Sequence, residues 1–143
     1  MRLVAVVAIG CLSLVSPAVA QESDGPPAFL LGAFVDDYGA EYVITEESWS
    51  QGSSEYHVVA WEAGSNRVLA RNADSNPTEA RLWNRFEWIE LDPGSEYEWA
   101  YCHIVYDGES REEAGSTPPA NRVAPRSGCN GHPFTRMKRL GLG

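Results

Sequence analysis

The sequence predicts an all-β protein, an antiparallel meander of short strands that forms a small barrel or a two-sheet sandwich. Segments of alternating apolar and polar residues recur along the chain, and turn-forming residues separate them at intervals of about 5–12 residues. The segment Leu82–Tyr106 holds three of the five tryptophans and three of the six tyrosines, as expected for a long hairpin on which such a sheet is built. A pair of cysteines, Cys102 and Cys129, would link this hairpin to the C-terminal part of the chain.

Residues 1–20 have the pattern of a secretory signal peptide. One arginine precedes the apolar run Leu3–Val15, and a small-x-small ending at Ala20 follows it. The run is shorter than the roughly 20 apolar residues of a membrane-spanning helix. We therefore expect cleavage after Ala20, a periplasmic or extracellular location, and a flexible leader at 21–28. A buried N-terminal helix and a lipoprotein are the alternatives.

The remaining residues, 29–143, are expected to form one domain, because their number suits a single core. The whole chain is acidic, with a formal charge of −9, which argues against nucleic-acid binding. The segment 117–143 contains no acidic residue and forms a basic tail. This tail is expected to lie on the acidic body or, alternatively, to contact an anionic surface. Its basic residues are Arg122, Arg126, Arg136, Lys138 and Arg139.

The cysteine count predicts one disulfide bond. Loss of the signal peptide removes Cys11 and leaves Cys102 and Cys129, and an even pair in an exported chain is typical of a disulfide. Closing a loop of about 28 residues would stabilise the fold by roughly 3–4 kcal/mol in the chain-entropy model. Two unpaired buried thiols are the alternative.

Five short strands are expected before the central hairpin. Each alternates between two faces, and in the fourth strand Tyr56 and Trp61 fall on opposite faces. The predicted strands are 29–36, 41–45, 48–51, 55–62 and 67–72. Asn76 followed by Pro77, with Glu79 three residues after Asn76, predicts one helical turn between the fifth strand and the hairpin.

The central hairpin is predicted from two alternating arms joined by a turn at Asp92-Pro93-Gly94-Ser95. One face of the first arm carries Leu82, Asn84, Phe86 and Trp88, and the other carries Trp83, Arg85, Glu87 and Ile89. One face of the second arm carries Tyr97, Trp99, Tyr101, His103 and Val105. This aromatic row sets the register, because a slip of one residue would expose the rings to water.

A short helix and then an irregular strap are predicted after the last long strand. Ser110 and Glu113 form a capping box that starts the helix. Residues 116–131 are rich in Pro, Gly and Ser and lack periodicity, which is typical of a strap. Residues 132–140 are expected either to add a short edge strand through Phe134 or to pack on the body.

Three motifs carry a resemblance to a known family. They are Trp-x-Arg-Phe-x-Trp at 83–88, Tyr-Cys-x-x-x-Tyr-Asp at 101–107 and Gly-Cys at 128–129. The chain resembles an uncharacterised family of small exported bacterial β-proteins. The resemblance implies a compact, disulfide-bonded, exported domain and transfers no catalytic residues. The Gly-x-Phe start of the segment 32–45 is also similar to lipocalin- and avidin-like barrels, which bind small apolar molecules.

The aromatic residues of the hairpin have two interpretations. They form the core, or part of them lines a pocket or platform for a small apolar or sugar-like ligand, since Tyr and Trp combine a flat apolar face with a polar tip. On the second interpretation, neighbouring polar side chains would orient the ligand. The candidate ligand-binding residues are Trp83, Asn84, Arg85, Trp99, Tyr101 and His103.

No pattern of catalytic or metal-binding residues stands out in the sequence. The three histidines, His57, His103 and His132, lack the local spacing of a zinc site. No phosphate-binding glycine loop and no Gly-x-Ser-x-Gly nucleophile motif is present, and carboxylate pairs are abundant only because the chain is acidic. We predict no metal and no cofactor, and the sequence favours a non-enzymatic protein without deciding the question.

The sequence thus favours an exported β-domain that binds a small molecule or an envelope component through aromatic side chains. One alternative is a small exported hydrolase that uses His103 or His57 with a nearby carboxylate. The other is a purely structural envelope or surface protein. No nucleic-acid partner and no transmembrane segment are expected, and the oligomeric state is not predicted.

Overall fold

A computed structural model describes residues 25–141 of the chain. The predicted signal peptide, residues 1–20, lies outside these residues, as does the first part of the predicted leader. Within the described range, no helix has the length and the apolar character that a membrane crossing requires.

Eight antiparallel strands form a closed barrel. Each strand pairs with its neighbours in chain order, and the last strand pairs with the first. This confirms the predicted all-β meander and selects the barrel over the sandwich; closure also protects the strand edges that would otherwise template aggregation. The strands are β1 (Gly32–Asp36), β2 (Glu41–Ile44), β3 (Ser48–Gln51), β4 (Ser54–Glu62), β5 (Arg67–Asn72), β6 (Trp83–Glu90), β7 (Trp99–Gly108) and β8 (Thr135–Arg139).

The strands β6 and β7 form the predicted central hairpin, with Trp88 opposite Tyr101. Their connection contains a β-turn in which the Ser95 N–H donates to the Asp92 carbonyl at 3.0 Å. Pro93 suits the second position of this turn because its ring fixes φ. Gly94 occupies the third position with a φ of 86°, a conformation that residues with a side chain rarely adopt.

Ring side chains fill the interior of the barrel. The indole of Trp49 stacks on Phe86 with the ring centroids 4.5 Å apart, and it meets Trp99 and Tyr101 edge-on. Leu30, from a short 3₁₀ turn, is fully buried in the same cluster, and this turn replaces the start of the first predicted strand. The aromatic row of the hairpin is therefore largely core, and its cross-strand contacts fix the register of the barrel.

Two β-bulges change the predicted side-chain faces. The sequence predicted Tyr56 and Trp61 on opposite faces of β4, which was wrong. The alternation shifts between Val58 and Ala60, so both rings lie in the interior cluster. A second irregularity, in the pairing of β6 with β7, turns Val105 out of the predicted aromatic row and into a cluster outside the barrel.

Two other local predictions were also wrong. Tyr97 does not belong to the aromatic row, because β7 begins at Trp99, and its ring instead lies 4.6 Å from the Arg136 guanidinium. The helical turn predicted at Asn76 is absent from this described segment. The Asn76 side chain bonds the main-chain N–H and carbonyl of Glu55, at 2.9 and 2.8 Å, and thereby ties the long connection to β4.

A second apolar cluster covers the outer face of β5, β6 and β7. A helix, α1 (Arg111–Ser116), and the strap that follows it, residues 117–134, pack on this face. The predicted N-cap starts α1: the Ser110 hydroxyl accepts the Glu113 N–H at 3.0 Å, while the Glu113 carboxylate accepts the N–H of Glu109 rather than that of Ser110. The predicted disulfide is present between Cys102 of β7 and Cys129 of the strap. The cluster consists of Leu69, Ala100, Cys102, Ile104, Val105, Ala114, Ala120 and Phe134.

Two buried charges on β6 hold the strap against the barrel. Arg85 is fully buried and donates to the main-chain carbonyls of Ala114 at 2.7 Å and Pro118 at 3.0 Å. Glu87, which is equally inaccessible, accepts the Ala120 N–H at 2.7 Å and lies 3.7 Å from the Arg85 guanidinium. Burial lowers the pKa of Arg85 while Glu87 acts in the opposite direction, and the guanidinium stays charged.

The basic tail lies on the acidic body, which is the first of its two predicted placements. Its last part forms β8, which completes the barrel between β7 and β1. Four of the five basic side chains pair with acids: Arg122 with Glu87 (2.9 Å), Arg136 with Asp37 (3.0 Å), Lys138 with Glu96 (2.7 Å) and Arg139 with Glu98 (3.9 Å).

Truncating Glu87 should destabilise the fold strongly. In a Glu87→Ala variant, Arg85 loses its buried counter-charge and the Ala120 N–H loses its acceptor, so we expect the free energy of unfolding to fall by about 3–5 kcal/mol. Urea denaturation followed by tryptophan fluorescence measures this change.

The matched control is Glu98→Ala. Glu98 also pairs with an arginine, but at 3.9 Å and with about half of its side chain exposed, so we expect a loss below about 1 kcal/mol. Equal losses in the two variants would contradict the role given to the buried pair.

Candidate functional site

A cleft opens beside β7 because this strand continues past the start of β8. Three residues of β7, Trp99 to Tyr101, pair with β8, and β8 begins opposite Tyr101 at Thr135. The strand β7 then runs on to Gly108 along its other neighbour, β6. The strap and the β1–β2 turn border the gap that is left beside the end of β7.

The cleft has a volume of about 480 Å³. Tyr101 and His103 form its floor, and Tyr101 is only 5% exposed. Two tyrosines stand at the rim, Tyr38 at 79% exposed and Tyr106 at 49%. The other lining residues are Cys129, Asn130, His132, Pro133 and Thr135.

The imidazole of His103 has a defined orientation. Its Nε2 lies 2.7 Å from Oδ1 of Asn84, and Nδ2 of the same amide donates to the Leu82 carbonyl at 3.2 Å. Because the amide nitrogen is used by Leu82, the amide oxygen faces the ring, and Nε2 must donate to it. In the neutral ring, Nδ1 is then the nitrogen with the lone pair.

A chain of hydroxyl groups connects Tyr101 to a buried carboxylate. The Tyr42 hydroxyl donates to Oδ2 of Asp36 at 2.8 Å and lies 2.8 Å from the Tyr101 hydroxyl. A carboxylate only accepts, so the single proton of Tyr42 goes to Asp36, and the Tyr42 oxygen accepts the proton of Tyr101. Asp36 is held in turn by the main-chain N–H groups of Tyr38 and Ala40.

Burial sets the protonation of these groups. It lowers the pKa of His103 from 6.5 to about 4, so the ring is neutral at pH 7. Burial is also the first cause that raises the pKa of Tyr42 and of Tyr101, and both hydroxyls stay protonated at neutral pH. The floor is therefore uncharged, with the Asp36 carboxylate behind it.

A tight turn in the strap carries His132 to the cleft. Cys129 and His132 exchange two main-chain hydrogen bonds, at 3.0 and 2.8 Å, across Asn130 and Gly131. These two residues have φ values of 51° and 86°, as in the two-residue turns that favour the sequence Asn-Gly. The disulfide to Cys102 fastens this turn to β7.

The six residues predicted for ligand binding are divided between the two faces of the hairpin. Four of them have buried or interior contacts: Asn84, Trp99, Tyr101 and His103. Of these, Tyr101 and His103 line the cleft, and Asn84 lies behind His103. Trp99 is fully buried in the aromatic core. Trp83 and Arg85 lie outside the barrel. Trp83 packs against the outer cluster, with the Arg71 guanidinium 5.3 Å from its ring centroid, and Arg85 binds the strap.

Several residues of the site were not found from the sequence. Asp36 and Tyr42 come from β1 and β2, and Tyr38 from the turn between them, far along the chain from the hairpin. No periodic pattern indicates that they meet β7. The position of His132 could have been predicted, because the Asn130-Gly131 dipeptide indicates a tight turn that reverses the chain.

A second cleft, of about 410 Å³, shares Tyr38 and Pro133 with the first. Its lining includes the cationic side chains of Arg126 and Arg136 beside the apolar ring of Phe134. The second cleft also contains Asp37, which pairs with Arg136, and of the two clefts only the second contains arginine and aspartate side chains in its described lining.

Two further candidates from the sequence are His57 and a metal-binding cluster. His57 lies 3.9 Å from the Glu55 carboxylate, but both side chains are about half exposed on the outer surface. Within residues 25–141, no group of three or more His, Cys, Asp or Glu side chains is arranged to hold a metal ion.

The folded state should lose stability as the pH falls from about 6.5 to about 4. The unfolded chain takes up a proton on His103 in this range more readily than the folded chain does, so protonation favours unfolding by up to about 3 kcal/mol. Denaturation at successive pH values measures the effect. A His103→Gln variant should lack this part of the pH dependence, and an unchanged slope in that variant would contradict the burial of the ring.

Comparisons of the chain with protein-family models, with curated proteins and with solved structures found no match. Function is therefore argued from the chemistry of the site: a neutral cleft with a tyrosine and a histidine in its floor, two exposed tyrosines at its rim and a buried carboxylate behind it.

Proposed function

We propose that this protein is a ligand-binding barrel that holds a small molecule in the cleft beside the end of β7. The observation that carries the proposal is the accessibility of otherwise buried polar groups. Tyr101 and His103 contact the ring side chains of the barrel interior, yet both residues line a cleft of about 480 Å³. Concave sites with ring surfaces and a few fixed polar groups are typical of small-molecule binding.

The proposal differs from an interior pocket of the lipocalin or avidin type. Stacked and edge-on rings occupy the middle of the barrel, including Trp49, Phe86 and Trp99, and an apolar ligand would have to displace them. Removing such contacts costs several kcal/mol for each large side chain. The end of the barrel, where the packing stops, is the better supported site.

The alternative hydrolase has weaker support. A hydrolytic histidine needs an acid or base partner within hydrogen-bond reach, and the partner of His103 is the neutral amide of Asn84. Among the described lining residues of the cleft there is no carboxylate. A purely structural role has no feature of the site in its favour, because a cleft with two exposed tyrosines adds nothing to the stability of a barrel.

We also propose that the protein is exported. A disulfide between Cys102 and Cys129 supports this, since such bonds persist in oxidising compartments. Expression of the full chain in a secreting host, followed by intact-mass analysis of the protein outside the cytoplasm, is expected to give an N-terminus at Gln21 and an oxidised cysteine pair. Retention of the complete chain in the cytoplasm would contradict export.

Binding at the cleft should be visible by NMR. In titrations of the ¹⁵N-labelled protein with a panel of monosaccharides, aromatic alcohols and aromatic amines, we expect the shifted amides to cluster at the cleft lining, in 101–106 and 129–135. A Tyr106→Ala variant should weaken binding of the best compound about fivefold, because one aromatic contact is worth about 1 kcal/mol.

The matched control for Tyr106 is Val123→Ala. Both side chains are exposed apolar groups, but only Tyr106 lines the cleft, so the control should bind as the unmodified protein does. Shifts confined to another surface, or no shifts with any compound, would reject the proposed site.

A further inference from the structure

We propose that the ligand of this cleft is an organic cation, a small molecule whose protonated amine donates hydrogen bonds to the floor while tyrosine rings surround its charge. This inference rests on the proposed function, because it names the chemical class of the ligand for the same cleft.

The hydrogen bond between His103 and Asn84 has a fixed direction. Nε2 gives its proton to the Asn84 amide oxygen at 2.7 Å, and Asn84 cannot reverse its amide without losing the bond to the Leu82 carbonyl. The neutral ring therefore has a lone pair on Nδ1 for an incoming group. At this position, the cleft offers an acceptor.

The hydrogen bonds among Tyr101, Tyr42 and Asp36 also have a fixed direction. Its proton goes to Tyr42, because the proton of Tyr42 is used by the Asp36 carboxylate. Tyr101 lines the cleft, and because its own proton goes to Tyr42, its oxygen has only lone pairs left to offer. Two adjacent floor groups on β7 are thus both acceptors, and the neighbouring Thr135 hydroxyl is itself a hydrogen-bond partner of Tyr101.

A floor of acceptors selects a ligand with donors. A carboxylate or a carbonyl ligand would place its own lone pairs against those of Tyr101 and His103, whereas an ammonium group brings up to three N–H donors and no acceptor. Bonds from a charged donor are also shorter and stronger than bonds from a neutral one.

The surroundings of the floor favour a ligand with a positive charge. Tyr38 and Tyr106 are exposed at the rim, and a cation gains from contact with the negative face of an aromatic ring. The Asp36 carboxylate lies behind the floor, one hydroxyl beyond Tyr101. Lysine and arginine are absent from the described lining of this cleft, in contrast to the neighbouring cleft with Arg126 and Arg136.

Four small probes with the same ring separate the effect of the ligand's charge from the effect of its hydrogen-bond donors. They are benzylamine, benzyl alcohol, benzyltrimethylammonium and benzoate, each titrated at pH 7 into the ¹⁵N-labelled oxidised protein. We expect benzylamine to bind the cleft at least about tenfold more tightly than benzyl alcohol, because its charge gains both from the rings and from stronger hydrogen bonds. Benzoate should leave the amides of this cleft unshifted.

The trimethylated probe tests the floor separately from the rim. It keeps the positive charge but has no N–H group, so it should bind more weakly than benzylamine. Equal or tighter binding of the trimethylated probe would overturn the assignment of Tyr101 and His103 as acceptors for the ligand. Equal binding of benzyl alcohol, or binding of benzoate in this cleft, would overturn the proposal as a whole.

Tyr42 is a positioning residue on this account, since it lies outside the described cleft lining and acts through Tyr101. In a Tyr42→Phe variant the Tyr101 proton loses its acceptor and is free to turn toward the cleft. The ratio of benzylamine affinity to benzyl alcohol affinity should then fall several-fold. A general loss of packing would weaken both probes and leave this ratio unchanged.

The matched control is Tyr56→Phe, which removes a hydroxyl from another largely buried ring in the same interior cluster without touching the Asp36–Tyr42–Tyr101 chain. This variant should keep the ratio of the unmodified protein. A Tyr42→Phe protein that is folded, with an unchanged ratio, would overturn the role of the hydroxyl chain.

The outcome also separates this inference from the proposed function. If monosaccharides or neutral alcohols shift the cleft amides and benzylamine does not, the cleft is a binding site but its ligand is not a cation. If none of the probes, charged or neutral, shifts these amides, both the inference and the proposed function fail.

Discussion

The attachment of the strap to the outer face of β6 is the interaction on which the rest of this structure depends. Arg85 and Glu87 are buried charges that would be costly if left unpaired, and the main chain of α1 and of the strap supplies most of their partners. With the strap in place, the apolar outer face of β5–β7 is covered and Cys129 lies within bonding distance of Cys102. The strap also leads the chain into β8 on the side where this strand closes the barrel. The same segment carries one wall of the cleft.

The cleft follows from the difference in length between β7 and β8 rather than from a dedicated insertion. The strand β7 is longer than β8, so the cover that β8 gives ends beside Tyr101 and does not reach His103. The protons of His103 and Tyr101 are directed inward, to Asn84 and to Tyr42, because a buried donor without a partner costs free energy. The requirement to satisfy buried donors therefore determines what the outside face of these groups offers to a ligand.

Features of the fold that depend on neighbours in sequence could be predicted, and features that depend on distant contacts could not. The alternation of β6, the Asp92–Ser95 turn and the Ser110–Glu113 cap are encoded within a few residues. The bulges that move Trp61 and Val105 follow from packing inside a closed barrel, which alternation alone does not specify. Arg85 was assigned to a ligand because nothing in the sequence shows that the strap returns over it. The hydrogen bond between Tyr42 and Tyr101 joins residues 59 apart, and no local signal predicts it.

The central claim is that the floor of the cleft presents acceptors because its protons are used inside the barrel. The ¹⁵N shifts of the His103 imidazole, read from a long-range ¹H–¹⁵N correlation spectrum at pH 7, test this directly, since they report which ring nitrogen carries the proton. The account predicts the neutral ring with the proton on Nε2 and an unprotonated Nδ1. A proton on Nδ1, or a doubly protonated ring at that pH, would contradict it.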